Sequence, residues 1–193
     1  MLKAVIEDVD LLLDLLNTTP VVDGLPTDAL EDRRDAARWL GERDLPRSPA
    51  TAASARRVRD AIALVVRGEE PARTLEPFLE GVSRIPSVGD DGVRWELNIG
   101  SAEPFSLRCV LTWAHLQKTL PGRLRPCAND DCRLFLIDHS RANTRRWCSM
   151  AACGNRLKAR RHHRRATNRD DTRAATTDDK EGDSPLRSGP VAG

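Results

Sequence analysis

The chain has 193 residues, with 31 Lys/Arg against 29 Asp/Glu, five cysteines, no tyrosine, three Phe and four Trp. That length suits one ordinary domain plus a small appendage, domains commonly running about 100–150 residues, and no uncharged apolar run approaches the ~18 residues a membrane span needs. The net charge of +2 hides a segregation: residues 1–122 carry 15 Lys/Arg against 20 Asp/Glu, residues 123–165 carry 12 against 3, and residues 166–193 carry 4 against 6, so a cationic module sits between two acidic segments and points to a polyanionic partner, nucleic acid first.

In chain order, Met1–Ile6 is broken at once by Glu7, Asp8 and Asp10, so a secretory signal is not expected and the reading is cytoplasmic, where thiols stay reduced. Leu11-Leu-Leu-Asp-Leu-Leu-Asn-Thr18 is a short apolar run ended by Asn17-Thr-Thr-Pro20, which suits a buried strand or a turn of core helix equally. Asp14 and Asn17 are expected to be a satisfied or exposed carboxylate and a turn cap rather than ligand-binding groups. Thr27 is placed to cap a helix carrying Leu30, Ala37, Trp39 and Leu40 up to Gly41. Ser54 to Arg67 sets Val58, Ala61, Ile62, Val65 and Val66 against Arg56, Arg57, Arg59, Asp60 and Arg67, the pattern of an amphipathic helix. Gly89-Asp-Asp-Gly92 is a turn feeding an alternating strand with Val93, Trp95, Leu97 and Ile99 on its buried face. Leu107 to Leu120 reads as a buried helix stopped by Pro121-Gly122. In it Cys109 is a small buried hydrophobe rather than a nucleophile, and His115 stands alone. No catalytic residue emerges from residues 1–122, and the scarcity of aromatics argues against a large aromatic ligand pocket.

Four of the five cysteines fall into two matched pairs, Cys127-Ala-Asn-Asp-Asp-Cys132 and Cys148-Ser-Met-Ala-Ala-Cys153. Two such turns bring four thiolates into the tetrahedral shell that Zn²⁺ prefers, and a four-sulfur shell leaves no open position for catalysis. Disulfides, a redox pair and an iron–sulfur cluster use the same atoms; reduced surroundings favour metal, and spacing alone does not separate zinc from iron–sulfur. Leu134-Phe-Leu-Ile137 is long enough for one hairpin strand over the metal. Cys148 and Cys153 would lie ~140° apart on a continuous helix, so a helix must begin between them, with Ser149 as its cap. Beyond it, Asn155 to Arg165 places Leu157 toward the metal and Arg156, Arg160 and Arg164 in one basic stripe. A knuckle, a hairpin and a helix carrying the last ligand make a treble-clef-like finger.

The block Cys127 to Arg165, with Asp138, Ser140-Arg141, Arg145-Arg146-Trp147-Cys148-Ser149-Met150 and above all Cys153-Gly154-Asn155-Arg156, resembles the CGNR zinc finger family. Members of that family carry an N-terminal ABATE domain, and Leu13-Asp-Leu-Leu-Asn-Thr18 is similar to a run near the start of that domain. The resemblance implies that Cys127, Cys132, Cys148 and Cys153 bind one structural zinc, that the helix from Asn155 meets DNA, and that the protein is a stress-responsive transcription regulator of bacteria. His139 is a spare ligand at most.

The expected architecture is α+β: a mostly helical N-terminal domain with a small β-sheet over residues 1–122, a treble-clef-like zinc finger with a basic helix over 123–165, and a disordered tail over 166–193. The leading function is a zinc-dependent regulator whose finger helix contacts duplex DNA. Arg160, Arg161, Arg164 and Arg165 would meet phosphates, and Asn155, Arg156 and Lys158 base edges. Arg145 and Arg146 complete the candidate nucleic-acid set and also offset thiolate charge. The alternative is a zinc-stabilised RNA- or protein-docking module, open to redox control through its thiolates; an enzyme is the least supported reading. One finger has a small footprint, which favours a homodimer through residues 1–122.

Overall fold

In the computed structural model, residues 2–155 are described, and the chain divides into two compact units, Met1–Cys148 and Ser149–Gly193. The first unit holds four helices: α1 (Leu2–Leu16), α2 (Arg33–Gly41), α3 (Pro49–Arg67) and α4 (Pro104–Thr119), with a 3₁₀ segment at Ala72–Leu79. Three separate two-stranded antiparallel ribbons accompany them, β1 (Val21–Val22) with β2 (Leu25–Pro26), β3 (Ser83–Gly89) with β4 (Gly92–Asn98), and β5 (Leu124–Pro126) with β6 (Phe135–Ile137). The fold is α+β as expected, with strands as ribbons rather than one sheet. Among the described residues no helix is long and apolar enough to cross a membrane.

The run at Leu11–Leu16 belongs to a helix, because Leu12, Leu15 and Leu16 fall on one face and are all buried against Leu40, Val58, Ile62 and Val110. α2 begins later than its sequence suggested. Its cap is Asp32, whose carboxylate accepts the N–H groups of Arg34 and Asp35, while the Thr27 hydroxyl donates to the Pro20 carbonyl. α3 is capped by Ser48 and closed by Gly68 at φ +76°, the left-handed position glycine takes without a Cβ penalty. α4 is capped by Glu103, which accepts from the Phe105 and Ser106 amides and from the Ser54 and Ser106 hydroxyls. Burial would raise this carboxyl, but those bonds outweigh it and lower its pKa. Cys109 lies buried in α4, and its apolar surroundings push the thiol up to about 12.

Two expectations about burial are corrected. Arg59 does not lie on a solvated face of α3; it is 4% exposed, and its guanidinium grips Asp28 through both carboxylate oxygens at 2.6 and 2.9 Å and donates to Thr18 and Asp60. The hydroxyl and carboxylates replace the water it gives up. The alternating β4 strand is not half-buried either. Val93 and Trp95 are 61% and 62% exposed, because among the described residues none covers the outer part of that face, while Leu97 and Ile99 nearer the root border a groove with Leu107 and Leu111 of α4. At the root of this ribbon Gly81 and Gly100 pass so closely that a Cβ on Gly100 would meet the Gly81 carbonyl oxygen at 2.6 Å.

Candidate metal centre

The last ribbon is continuous with the helical core. Leu124, Phe135 and Ile137 pack in the same buried cluster as Leu12, Leu16 and Val58. From the end of β5 the chain turns directly into Cys127, whose N–H donates to the Leu134 carbonyl at 2.8 Å, and Cys132 N–H closes the knuckle onto Asn129 O at 2.8 Å. Arg67, at the end of α3, donates to the Arg133 carbonyl at 2.8 Å and lies over the Phe135 ring at 4.7 Å.

The return from β6 to the second cysteine pair is pinned by Asp138. Fully buried, it accepts from the Ser140 amide at 2.8 Å, the Arg145 amide at 2.7 Å and the Arg125 guanidinium at 2.5 Å. Burial works to raise this carboxyl, but the hydrogen bonds from Ser140 and the Arg145 amide and the charge of Arg125 outweigh it and hold it at about 2. Arg123 supports the same loop by donating to the Asp138 and Ser140 carbonyls. The Arg145 side chain then donates to the carbonyls of Trp147 and Cys148 at 3.1 and 2.7 Å. Within the second unit, Ser149 precedes a single wide turn, Met150–Gly154, in which its carbonyl accepts from both Cys153 N–H at 3.0 Å and Gly154 N–H at 3.1 Å. A helical turn therefore begins between the two cysteines, which would lie ~140° apart on a continuous helix.

The Sγ atoms of Cys127, Cys132, Cys148 and Cys153 lie within 4.8 Å of one another. A tetrahedral zinc with sulfur ligands at about 2.3 Å needs sulfurs about 3.8 Å apart, and Cys132 Sγ lies 3.7 Å from Cys148 Sγ. The Cys148 N–H donates to Cys127 Sγ at 3.4 Å, the kind of outer contact that stabilises a bound thiolate. Donor type, number and spacing fit one structural zinc, with no position left for a reacting water. His139 is exposed and lies outside the cluster.

A family model for ABATE, described as "Putative stress-induced transcription regulator", matches residues 10–131, well over half of the chain. The chain belongs to the ABATE family. The CGNR zinc finger model matches residues 123–166, so in this ABATE protein the two matches overlap across β5 and the first knuckle, where the ribbon and the helical core share side chains. No curated protein matches the chain.

The ABATE motif at residues 13–18 has a mechanical role that its sequence did not disclose. Each polar residue ties α1 to a different element: Asp14 pairs with Arg43 at 2.8 Å, Thr18 accepts from Arg59 at 2.9 Å, and the Asn17 amide accepts from the Phe135 N–H at 2.7 Å and donates to its carbonyl at 3.3 Å. Asn17 thus mimics a third strand on β6, 118 residues away, rather than capping its own turn. Asn17→Ala is expected to cost about 2 kcal/mol, roughly 4–8 °C in Tm, because it leaves a Phe135 N–H without a partner. Asn17→Asp, which keeps the acceptor, should recover part of that loss; faster hydrogen exchange at the Phe135 amide in the alanine variant checks the cause.

Of the candidate nucleic-acid residues, Arg145 and Arg146 are exposed beside the second cysteine pair. Arg145 is engaged with backbone carbonyls as described, and Arg146 lies 5.2 Å from the Trp147 ring. Asn155 is exposed. Arg156, Lys158, Arg160, Arg161, Arg164 and Arg165 lie outside the described residues, as does the segment 166–193.

Proposed function

We propose that this ABATE protein is a non-enzymatic, cytoplasmic transcription regulator of a bacterial stress response, acting as a homodimer whose zinc-held finger binds duplex DNA. The observation that carries the reading is the closed four-cysteine cluster joined to a segment, residues 123–165, with 12 Lys/Arg against 3 Asp/Glu. A closed site has no chemistry of its own to perform, so its use is to fix the chain that follows it. That chain is cationic well beyond what four thiolates and one Zn²⁺ require, and phosphate is the counter-charge it suits. Arg160, Arg161, Arg164 and Arg165 would supply phosphate contacts, with Asn155, Arg156 and Lys158 nearest the base edges. Arg145 would act mainly by holding the Trp147–Cys148 backbone.

The double substitution Arg160→Ala/Arg164→Ala tests this. If both residues meet phosphate, the slope of log affinity against log salt for a duplex becomes shallower by about two. An unchanged slope removes these residues from the interface.

A further inference from the structure

We propose that the copies associate by antiparallel pairing of β4 with β4 of a second copy, about a two-fold axis at Trp95. This rests on the homodimer reading and specifies its surface. Near its root the β3–β4 ribbon faces α4, where Leu97 and Ile99 border a groove with Leu107 and Leu111, but every residue of β4 is exposed, and Val88, Val93, Trp95 and Leu97 present an apolar strip with Val88 86% exposed. A lone two-stranded ribbon is marginal in water and its open edge invites another strand.

Two features select the occupant. The first is which edge is open. Pro86 lies opposite Trp95 and has no N–H to donate, so it suits a position where the backbone groups of both residues point away from the partner strand. The outer edge of β3 then lacks a donor at its centre. By the antiparallel alternation, Val93, Trp95 and Leu97 turn their N–H and C=O groups to the outer edge of β4, where Trp95 can exchange both hydrogen bonds with its own copy.

The second is charge. About Trp95 the sequence Val93-Arg94-Trp95-Glu96-Leu97 is self-complementary. Two-fold pairing sets Arg94 opposite Glu96 of the other copy twice, on one face, and Val93 opposite Leu97 twice on the other, flanking a Trp95–Trp95 pair. Directly opposed unlike charges and apolar pairs are the units that stabilise a ladder. Within one copy, among the described residues, these two side chains make only exposed contacts, Arg94 to Asp91 at 3.1 Å and Glu96 with the Ser87 hydroxyl at 3.4 Å, which pairing readily replaces. The partner that this strand fits is therefore a second copy of this chain, and the resulting particle carries two fingers.

Sedimentation equilibrium of the zinc-loaded full chain, across the micromolar range and beyond, tests the proposal through charge. Arg94→Glu and Glu96→Arg each create two like-charge pairs and should weaken self-association about tenfold or more. The double variant Arg94→Glu/Glu96→Arg should restore it, and an equimolar mixture of the two single variants should associate as a heterodimer, since each then faces its opposite charge. Both positions are exposed, so folding is retained, checked by unchanged helical circular dichroism. A dimer indifferent to both single reversals overturns the β4 pairing while leaving dimerisation standing. A monomer at every concentration overturns both.

Discussion

Chelating the zinc is expected to lower the main unfolding transition by at least about 10 °C, rather than to produce a separate minor one. Apparent zinc affinity in small fingers is worth about 10–16 kcal/mol at neutral pH, as large as the whole stability of an ordinary domain, and loss of only 3–4 kcal/mol suffices for such a shift in a chain of this size. The physical reason for a single transition is that the metal-bearing loop is not an appendage. Cys127 follows β5 directly, and Leu124, Phe135 and Ile137 of the ribbon complete the core built by Leu12, Leu16 and Val58. Loosening the knuckle therefore exposes the body's own apolar surface. Cys148→Ser should give most of the same loss. The thiols offer a second readout: four should become reactive on chelation, while Cys109, buried and with its pKa near 12, reacts only when the helices unfold. An unchanged main transition after zinc removal would show that β5–β6 holds without the metal.

Arg59→Ala should cost about 3 kcal/mol, roughly 6–12 °C in Tm. The guanidinium is nearly water-free and satisfies Asp28, Thr18 and Asp60 together. Its removal leaves the Asp28 carboxylate, 21% exposed in its side chain, without its main partner, which places the loss at the lower end expected for a broken buried pair. Asp28→Asn should reduce the effect of Arg59→Ala, measuring the coupling directly. The pair also predicts a pH dependence. Burial would raise the Asp28 carboxyl, but the Arg59 hydrogen bond, the Leu30 amide and the charges of Arg59 and Arg56 outweigh it, so its pKa lies below the ordinary 3.8. A lowered carboxylate contributes stability that is complete above its unfolded pKa and is lost as pH falls below it. Stability of the native chain should fall below about pH 4 partly through Asp28, and Arg59→Ala should flatten that part of the curve. An identical acid slope in the variant would show that the pair is not linked to folding.

Local patterns carried much of this fold. The 3.6-residue period located the core of α3, the apolar stretch stopped by Pro121-Gly122 located α4, and the spacing of the four cysteines was enough to name a metal centre whose sulfurs do converge. What escaped were features set by distant partners. Arg59 reads as one arginine among several on a polar face, and nothing nearby in sequence tells that Asp28 and Thr18 will enclose it. Asn17 resembles a turn cap because its partner, the Phe135 backbone, lies 118 residues away. Asp138 was visible as part of a familiar block, yet its hold on Arg125, Ser140 and Arg145 needed the folded loop. Alternation in β4 correctly announced a strand and wrongly announced burial, since period two states that one face is apolar and not what covers it. Asp32 displaced Thr27 as a cap because its carboxylate reaches two free amides at once.

Duplex recognition by the zinc-held finger is tested most directly by selection of bound sequences from a random duplex DNA pool and a structured RNA pool by the zinc-loaded full chain over a salt series, with Cys148→Ser protein alongside. Enrichment of a defined duplex sequence, lost in Cys148→Ser, is the expected result. Absence of duplex binding, or salt-sensitive binding to both pools with no sequence enriched, would contradict it.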